Sequence, residues 1–153
     1  MIEQFHIVAF THRLVDVNQI GVLHIEDGKQ EDRLQLLKQE MNLSELMFLS
    51  TCNRVEFSFV TPNAIDQSFL YQFFQVLYPY FSDEQLTFYS KNSESLSGEN
   101  AVAHLFAVAS SIDSMVIGER EIITQVRHAF ETSREMGLTG DFIRLLMRHT
   151  IET

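Results

Sequence analysis

Two apolar runs separated by four residues constrain the fold of this chain more than any other feature. The first run, "ELMFLS", is typical of a short buried strand. The second, "VEFSFV", alternates, so its bulky apolar residues face one way while Glu56 and Ser58 face the other. The connection at residues 51–54 is short enough to predict a tight hairpin, with Asn53 tolerating the left-handed conformation that such turns often need.

The patterns on either side of this hairpin predict the order strand, helix, strand, strand, helix, strand. A first strand is expected at residues 2–10 and a helix at residues 30–41. A second helix is expected from an N-cap at Asn63 to Pro79, and a fourth strand at "QLTFYS", residues 85–90. This order predicts an α+β fold of the ferredoxin-like βαββαβ type, with a four-stranded antiparallel sheet.

The remaining residues predict additional C-terminal helices. One helix is capped by Ser97 and carries Leu105 and Phe106, and another begins near Glu119. A turn containing two glycines precedes a last helix, for which the sequence shows no stop signal. We therefore expect a core sheet at about residues 1–92, a helical extension at about residues 97–153, and a chain that is one domain of a longer protein.

The net charge of −10, from 21 acidic and 11 basic residues, argues against a broad phosphate-binding surface. Basic residues are concentrated only in the last third of the chain. They are Arg127, Arg134, Arg144 and Arg148, with His128 and His149 nearby. On charge alone, this group is interpreted as a solvated helix face.

Three features predict a cytoplasmic protein without a membrane span. No run of 18 apolar residues is present, and the N-terminus lacks the pattern of a signal peptide. A single cysteine also excludes an internal disulfide, as expected in a reducing compartment.

That cysteine, Cys52, lies in the predicted hairpin turn, where a side chain is presented to solvent. A free cysteine is more often a small buried hydrophobe. However, polar residues flank Cys52, and Arg54 is close enough in sequence to favour the reactive thiolate. This local chemistry favours a nucleophilic cysteine. A proton-handling partner is expected for such a group, and His104 is a candidate, although most histidines on helices have no such role.

Other common sites find little support in the sequence. There is no CxxC or HExxH motif, so no metal site is predicted. There is also no GxGxxG or Walker loop, and the six glycines are scattered, so no nucleotide-binding site is predicted within these residues.

Three segments together resemble the glutamyl-tRNA reductase family. They are "THR" after the first strand, "STCNRVE" around Cys52, and "AVAHLFAVASSIDSMVIGE" followed by Gln125 and Val126. The resemblance covers the whole chain, which is similar to the N-terminal catalytic domain of that family. It implies that Cys52 attacks the ester of glutamyl-tRNA(Glu), and that the resulting thioester is reduced to glutamate-1-semialdehyde, the first step of tetrapyrrole synthesis.

The resemblance also implies roles for particular residues. Cys52 would be the nucleophile, and His104 would assist proton transfer or orient the site. Where the family often has Glu-Pro-Gln, this chain has Glu-Arg-Glu at residues 119–121. The substrate-binding residues implied are Thr51, Cys52, Asn53, Arg54, Ser114, Glu119, Arg120, Glu121 and Gln125.

Cofactor and partners follow from the same resemblance. NADPH would be bound by a domain missing from this chain, and another missing domain would form a homodimer. Glutamate-1-semialdehyde aminomutase is a further expected partner. Two alternatives stay open from the residues alone: a cysteine-dependent acyl hydrolase or transferase, and a non-enzymatic ferredoxin-like module that binds an amino acid.

Overall fold

The protein is described here by a computed structural model that covers residues 2–110 and 122–151. A 3₁₀ turn at Ile2–Gln4 precedes the first strand. The strands are β1 (Phe5–Thr11), β2 (Glu45–Ser50), β3 (Arg54–Val60) and β4 (Glu94–Ser97). The helices are α1 (Val17–Gly21), α2 (Asp27–Glu40), α3 (Gln67–Leu77), α4 (Asp83–Lys91), α5 (Glu99–Ala109), α6 (Ile122–Glu135) and α7 (Asp141–Ile151).

The four strands form one antiparallel sheet in the order β2-β3-β1-β4. This order confirms the predicted ferredoxin-like arrangement, in which the two central strands are the first and third along the chain. The hairpin prediction is also confirmed, since Ser50 pairs with Val55 at the end of the β2–β3 ladder.

Helices cover both faces of the sheet, and strand alternation divides the core accordingly. On the α3 face, Val8, Phe57 and Phe59 pack against α2, α3 and α4. On the α5 face, Ile7, Ala9 and Leu49 pack against α5, α6 and α7. Because the C-terminal helices cover the α5 face, even the polar residues of β3 that point toward it are buried.

The predicted fourth strand was wrong in position. Residues 85–90 lie in α4, where Ser82 and Gln85 form a capping box and Leu86 and Tyr89 are buried. The true β4 follows at Glu94–Ser97, so the sheet extends past residue 92. Three of its four residues are polar and exposed, so this edge strand, which pairs with β1, shows no apolar alternation in the sequence.

Two predicted helix caps were also wrong. Asp66, not Asn63, caps α3, because its carboxylate accepts from the backbone N–H of Phe69. Gly98, not Ser97, precedes α5, with φ of 63°. On α5, Leu105 is buried whereas its neighbour Phe106 is 40% exposed.

The start of α7 is anchored to the sheet by a buried carboxylate on β2. Glu45 Oε1 accepts the backbone N–H groups of Gly140 at 2.7 Å and Ile143 at 2.9 Å, and Oε2 accepts that of Phe142 at 3.1 Å. These are N–H groups that have no partner within the helix itself. Glu45 therefore acts as a helix cap supplied from a distant strand.

Replacing Glu45 with alanine is expected to lower the free energy of unfolding by about 2–3 kcal/mol, because three hydrogen bonds to a carboxylate, one buried and two partly buried, are lost. Urea unfolding of the variant measures this loss. The matched control is Glu40→Ala, which removes an exposed glutamate at the end of α2. Equal effects of the two substitutions would show that Glu45 has no special role in holding α7.

None of the helices within the described residues is long and apolar enough to cross a membrane.

Candidate active site

Cys52 is exposed at the tip of the β2–β3 turn. The turn is closed by a hydrogen bond of 2.9 Å from the backbone N–H of Thr51 to the carbonyl of Arg54. The Thr51 hydroxyl accepts the backbone N–H groups of Asn53 at 3.3 Å and Arg54 at 3.2 Å. The Thr51 side chain thus holds the backbone around the cysteine, and the thiol is presented as the sequence predicted.

Asn53 does not adopt the left-handed conformation that was expected of it. Among the described residues other than glycine, Asn42 alone has a positive φ. The Asn53 carbonyl instead accepts the backbone N–H of His12 at 3.1 Å. This bond ties the turn to the segment that follows β1, so an ordinary backbone conformation is sufficient.

A buried charged network lies on the α5 face of β3. Arg54 Nη1 donates to Glu56 Oε2 at 2.8 Å, and His104 Nε2 lies 2.8 Å from Glu56 Oε1. Arg54 is 1% exposed and Glu56 is 4% exposed. The carboxylate of Glu56 therefore bridges the arginine beside the cysteine turn to the histidine on α5.

Strand alternation correctly placed Arg54 and Glu56 on one face, but it did not predict their burial. Glu56 lies opposite Ala9 on β1 and Leu49 on β2, in the centre of the sheet. Sequence reasoning missed Glu56 as a site residue. The available signal was an acidic residue within an alternating strand, two positions from Arg54 and on the same face.

Opposing effects act on the pKa of the Glu56 carboxyl group. Burial alone raises it, because an ionised carboxylate is poorly solvated in the interior. The hydrogen bond and charge of His104, followed by the charge and hydrogen bond of Arg54, outweigh burial and leave the pKa below its ordinary value. Glu56 is therefore ionised at neutral pH.

The ionised carboxylate determines which tautomer of His104 is stable. A carboxylate can only accept hydrogen bonds, so the ring nitrogen that faces it, Nε2, carries the hydrogen. In the neutral ring, Nδ1 is then the nitrogen that can take up a proton. The geometry therefore suits His104 to proton transfer, with Glu56 holding its ring.

Gln125 lies on α6 beside a second part of the site. It lines a cavity of about 510 Å³ together with Ser50, the last residue of β2 before the cysteine turn. His24 and His128 lie on other walls of this cavity. Gln125 Oε1 is buried and has no hydrogen-bond partner among the described residues. An unpartnered amide oxygen on a residue that lines a cavity marks Gln125 as a candidate ligand-binding residue.

Other predicted residues cannot be placed in this geometry. The resemblance also implied substrate binding by Ser114, Glu119, Arg120 and Glu121, which lie outside the described residues. A residue that sequence reasoning did not single out is His12, in the "THR" segment. Its Nδ1 is buried without a hydrogen-bond partner in residues 2–110 and 122–151, and its backbone contacts the cysteine turn.

Comparison with known proteins places this arrangement in a family. The profile described as "Glutamyl-tRNAGlu reductase, N-terminal domain" matches residues 8–153. The chain belongs to the glutamyl-tRNA reductase family. The resemblance seen in the sequence is thereby confirmed.

Individual relatives agree with this assignment. The chain is 34% identical over 146 residues to the glutamyl-tRNA reductase of Campylobacter curvus, covering 93% of this chain and 33% of that protein. It is 39% identical over 139 residues to that of Aquifex aeolicus, covering 89% and 32%. The chain therefore spans about a third of the length of these glutamyl-tRNA reductases.

A solved structure supports the fold. The glutamyl-tRNA reductase from Methanopyrus kandleri matches with a TM-score of 0.71 at 24% identity, covering 98% of this chain and 33% of that one. At this identity, the match shows that the two chains share a fold.

Proposed function

We propose that this chain is the N-terminal catalytic domain of a glutamyl-tRNA reductase, in which Cys52 receives the glutamyl group of glutamyl-tRNA(Glu). The observation that carries the proposal is the exposed thiol at the tip of a turn whose next residue but one, Arg54, joins a buried network with Glu56 and His104. Family membership supports the substrate, and this geometry supports covalent catalysis.

The first proposed step is a transfer of the acyl group. The Cys52 thiolate attacks the carbonyl carbon of the glutamyl ester, so a C–S bond forms and the C–O bond to the tRNA breaks. The departing tRNA oxygen takes up a proton, for which His104 is the candidate donor. Because Glu56 fixes the ring through Nε2, Nδ1 is the atom proposed to carry this proton.

The second proposed step is reduction of the thioester. Hydride addition at its carbonyl carbon and departure of the thiolate give glutamate-1-semialdehyde and return Cys52 to its starting state. NADPH supplies the hydride when bound. The glycines of this chain are scattered and form no known phosphate-binding loop, so these residues do not fit the cofactor. We propose that another part of the protein holds it.

The remaining assignments extend the proposal to partners and other residues. We propose that the whole protein works as a cytoplasmic homodimer and passes its product to glutamate-1-semialdehyde aminomutase. Within this chain, Gln125 is proposed to bind substrate because it lines the cavity beside Ser50 and its buried Oε1 has no hydrogen-bond partner among the described residues. Thr51 and Asn53 are proposed to shape the turn through their backbone contacts, and the roles of residues 114 and 119–121 stay predictions.

The proposal is tested by incubating the full-length protein with glutamyl-tRNA(Glu) and NADPH and measuring glutamate-1-semialdehyde. Formation of the aldehyde with oxidation of NADPH supports a reductase. Release of free glutamate without oxidation of NADPH would instead support the cysteine hydrolase. Absence of both reactions would favour the non-enzymatic module.

Arg54→Lys separates two roles for the arginine. The sequence predicted that Arg54 grips a carboxylate of the substrate, whereas its buried hydrogen bond to Glu56 favours positioning of the network. Lysine keeps the charge but loses the planar fork. We expect acylation of Cys52 to slow roughly tenfold to a hundredfold with both glutamyl-tRNA and p-nitrophenyl acetate.

Comparing the two substrates distinguishes positioning of the network from recognition of the substrate. A loss confined to glutamyl-tRNA would contradict a pure positioning role and support recognition of the substrate carboxylate. The matched control is Arg33→Lys, because Arg33 is partly buried and donates to the carbonyl of Leu77, on the α3 face. This control should leave both acylation rates unchanged.

A further inference from the structure

The outer faces of α6 and α7 form an open groove of about 960 Å³. Four arginines line it: Arg127, Arg134, Arg144 and Arg148. All four are exposed, while residues on the opposite sides of the same helices, such as Val126 and Ile143, are buried against the sheet. The groove therefore lies on the side of the helices that faces away from the core.

The charge of the groove is opposite in sign to that of the chain. The groove contains four of the 11 basic residues but only two of the 21 acidic ones, Glu131 and Asp141. Asp141 lies within an ion pair of 2.7 Å with Arg144. A local positive surface on a chain of net charge −10 attracts a polyanion to this place and repels it elsewhere.

The arginines form two short rows. Arg127 and Arg134 are seven residues apart on α6, about two helical turns or roughly 10 Å. Arg144 and Arg148 are four residues apart on α7 and lie on the same side of that helix. The Arg134 guanidinium lies 5.7 Å from the centre of the Phe130 ring, which helps to hold it in place. Two rows of arginine side chains suit a ligand with repeated negative charges.

Helix α6 also connects this groove to the site around Cys52. Gln125 lines the cavity that contains Ser50, and Arg127 follows two residues later on the same helix. Residues two apart on a helix differ by about 200° in direction, so Gln125 and Arg127 lie on different sides of α6 but both within its first two turns. The Arg127 end of the groove is therefore at the same end of α6 as the cavity beside the cysteine turn. For glutamyl-tRNA, the part of the RNA that must come near Cys52 is the aminoacylated end.

We propose that the groove binds phosphates of the tRNA next to its aminoacylated end, an inference that rests on the proposed function. Guanidinium groups bind phosphate oxygens through paired hydrogen bonds. Proteins recognise RNA helices largely through phosphates and 2′-hydroxyls, so contacts of this kind need no base-specific residues. The arginines interpreted from the sequence as a solvated face thus become a substrate-docking surface.

The test compares two double variants of the full-length protein. Arg127→Gln with Arg134→Gln removes two charges from the groove, and Lys29→Gln with Lys91→Gln removes two exposed charges elsewhere. The dissociation constant for deacylated tRNA(Glu) is measured over a series of NaCl concentrations. For the groove variant, we expect roughly tenfold weaker binding at low salt and a salt slope reduced by about 2. The control pair should keep the wild-type slope.

Two further measurements make the result specific. Arg127→Lys with Arg134→Lys keeps the charges and should restore most of the affinity. Acylation of Cys52 by p-nitrophenyl acetate should be unchanged in the groove variant, because this ester has no phosphates. Wild-type affinity and salt slope in the Arg127→Gln, Arg134→Gln variant would overturn the proposal. An equal loss of tRNA affinity in the Lys29→Gln, Lys91→Gln control would overturn it as well.

Failure of the proposed function gives a different result. In that case the wild-type protein would form no glutamyl adduct on Cys52 from glutamyl-tRNA, whether or not the groove variant changed its affinity for tRNA. A normal adduct on wild-type Cys52, together with unchanged tRNA binding by the groove variant, would overturn the groove alone. Such a result would be expected if the groove contacted another protein surface.

Discussion

Replacing Cys52 with serine is expected to reduce glutamyl-tRNA turnover by about 10³-fold or more, with little change in stability. A serine hydroxyl is a much weaker nucleophile than a thiolate unless an adjacent base activates it. Stability should change little because Cys52 is exposed at the tip of a turn held by backbone and Thr51 hydrogen bonds. The measurement is semialdehyde formation by the full-length variant, with its melting temperature as the check of folding.

Cys52→Ala is the companion variant for this prediction. It removes the nucleophilic atom altogether, so any turnover shared by the serine and alanine variants comes from contamination or from a route that does not use Cys52. Turnover within tenfold of wild type in either variant would rule out Cys52 as the nucleophile. Wild-type affinity for tRNA in both variants would confirm that only the chemical step was removed.

Glu56→Gln is expected to affect both stability and catalysis. The substitution keeps the size of the side chain but removes the charge between Arg54 and His104, both of which contact it at 2.8 Å. Removing one member of a buried ion pair costs about 3–5 kcal/mol. Catalysis should fall as well, because a neutral amide holds the His104 tautomer less strongly than a carboxylate does.

The stability effect should depend on pH with a defined sign. The folded-state pKa of Glu56 is lowered relative to the unfolded chain, so its stabilising contribution is fully present above the ordinary glutamate pKa of about 4.3. That contribution is lost as the pH falls from there through the lowered folded-state pKa. The difference in unfolding free energy between wild type and Glu56→Gln should therefore be largest near pH 7 and smaller at pH 3.

Urea unfolding of both proteins between pH 7 and pH 3 checks this prediction. The control is Glu94→Gln, which neutralises an exposed glutamate on the edge strand of the same sheet. If the difference in unfolding free energy between wild type and Glu56→Gln stayed constant with pH, this would contradict the assignment of an ionised carboxylate in the network.

The parts of the fold that depend on local pattern could be predicted from the sequence. The β2–β3 hairpin joins neighbouring segments, and both strands have enough apolar residues to show their period. The edge strand β4 pairs with β1, far away in sequence, and Leu96 is its one apolar residue, so no local signal separates it from a loop. In α4, the aromatic residues resemble a strand, and the capping box at Ser82 was the overlooked signal of a helix.

The candidate site shows the same division. The exposure of Cys52 and the shared face of Arg54 and Glu56 follow from the turn and from alternation. Their burial next to His104 depends on α5 and α6 covering that face of the sheet. This packing joins segments about fifty residues apart in the chain, so a polar strand face appears solvent-exposed when considered from the sequence alone.

Mass spectrometry of the trapped intermediate shows whether Cys52 carries the glutamyl group. Full-length protein is mixed with glutamyl-tRNA(Glu) without NADPH, quenched in acid, digested and mapped. We expect a glutamyl adduct on the peptide that contains Cys52, sensitive to hydroxylamine and absent from Cys52→Ser. Release of tRNA with no adduct on that peptide, or an adduct on a different residue, would contradict it.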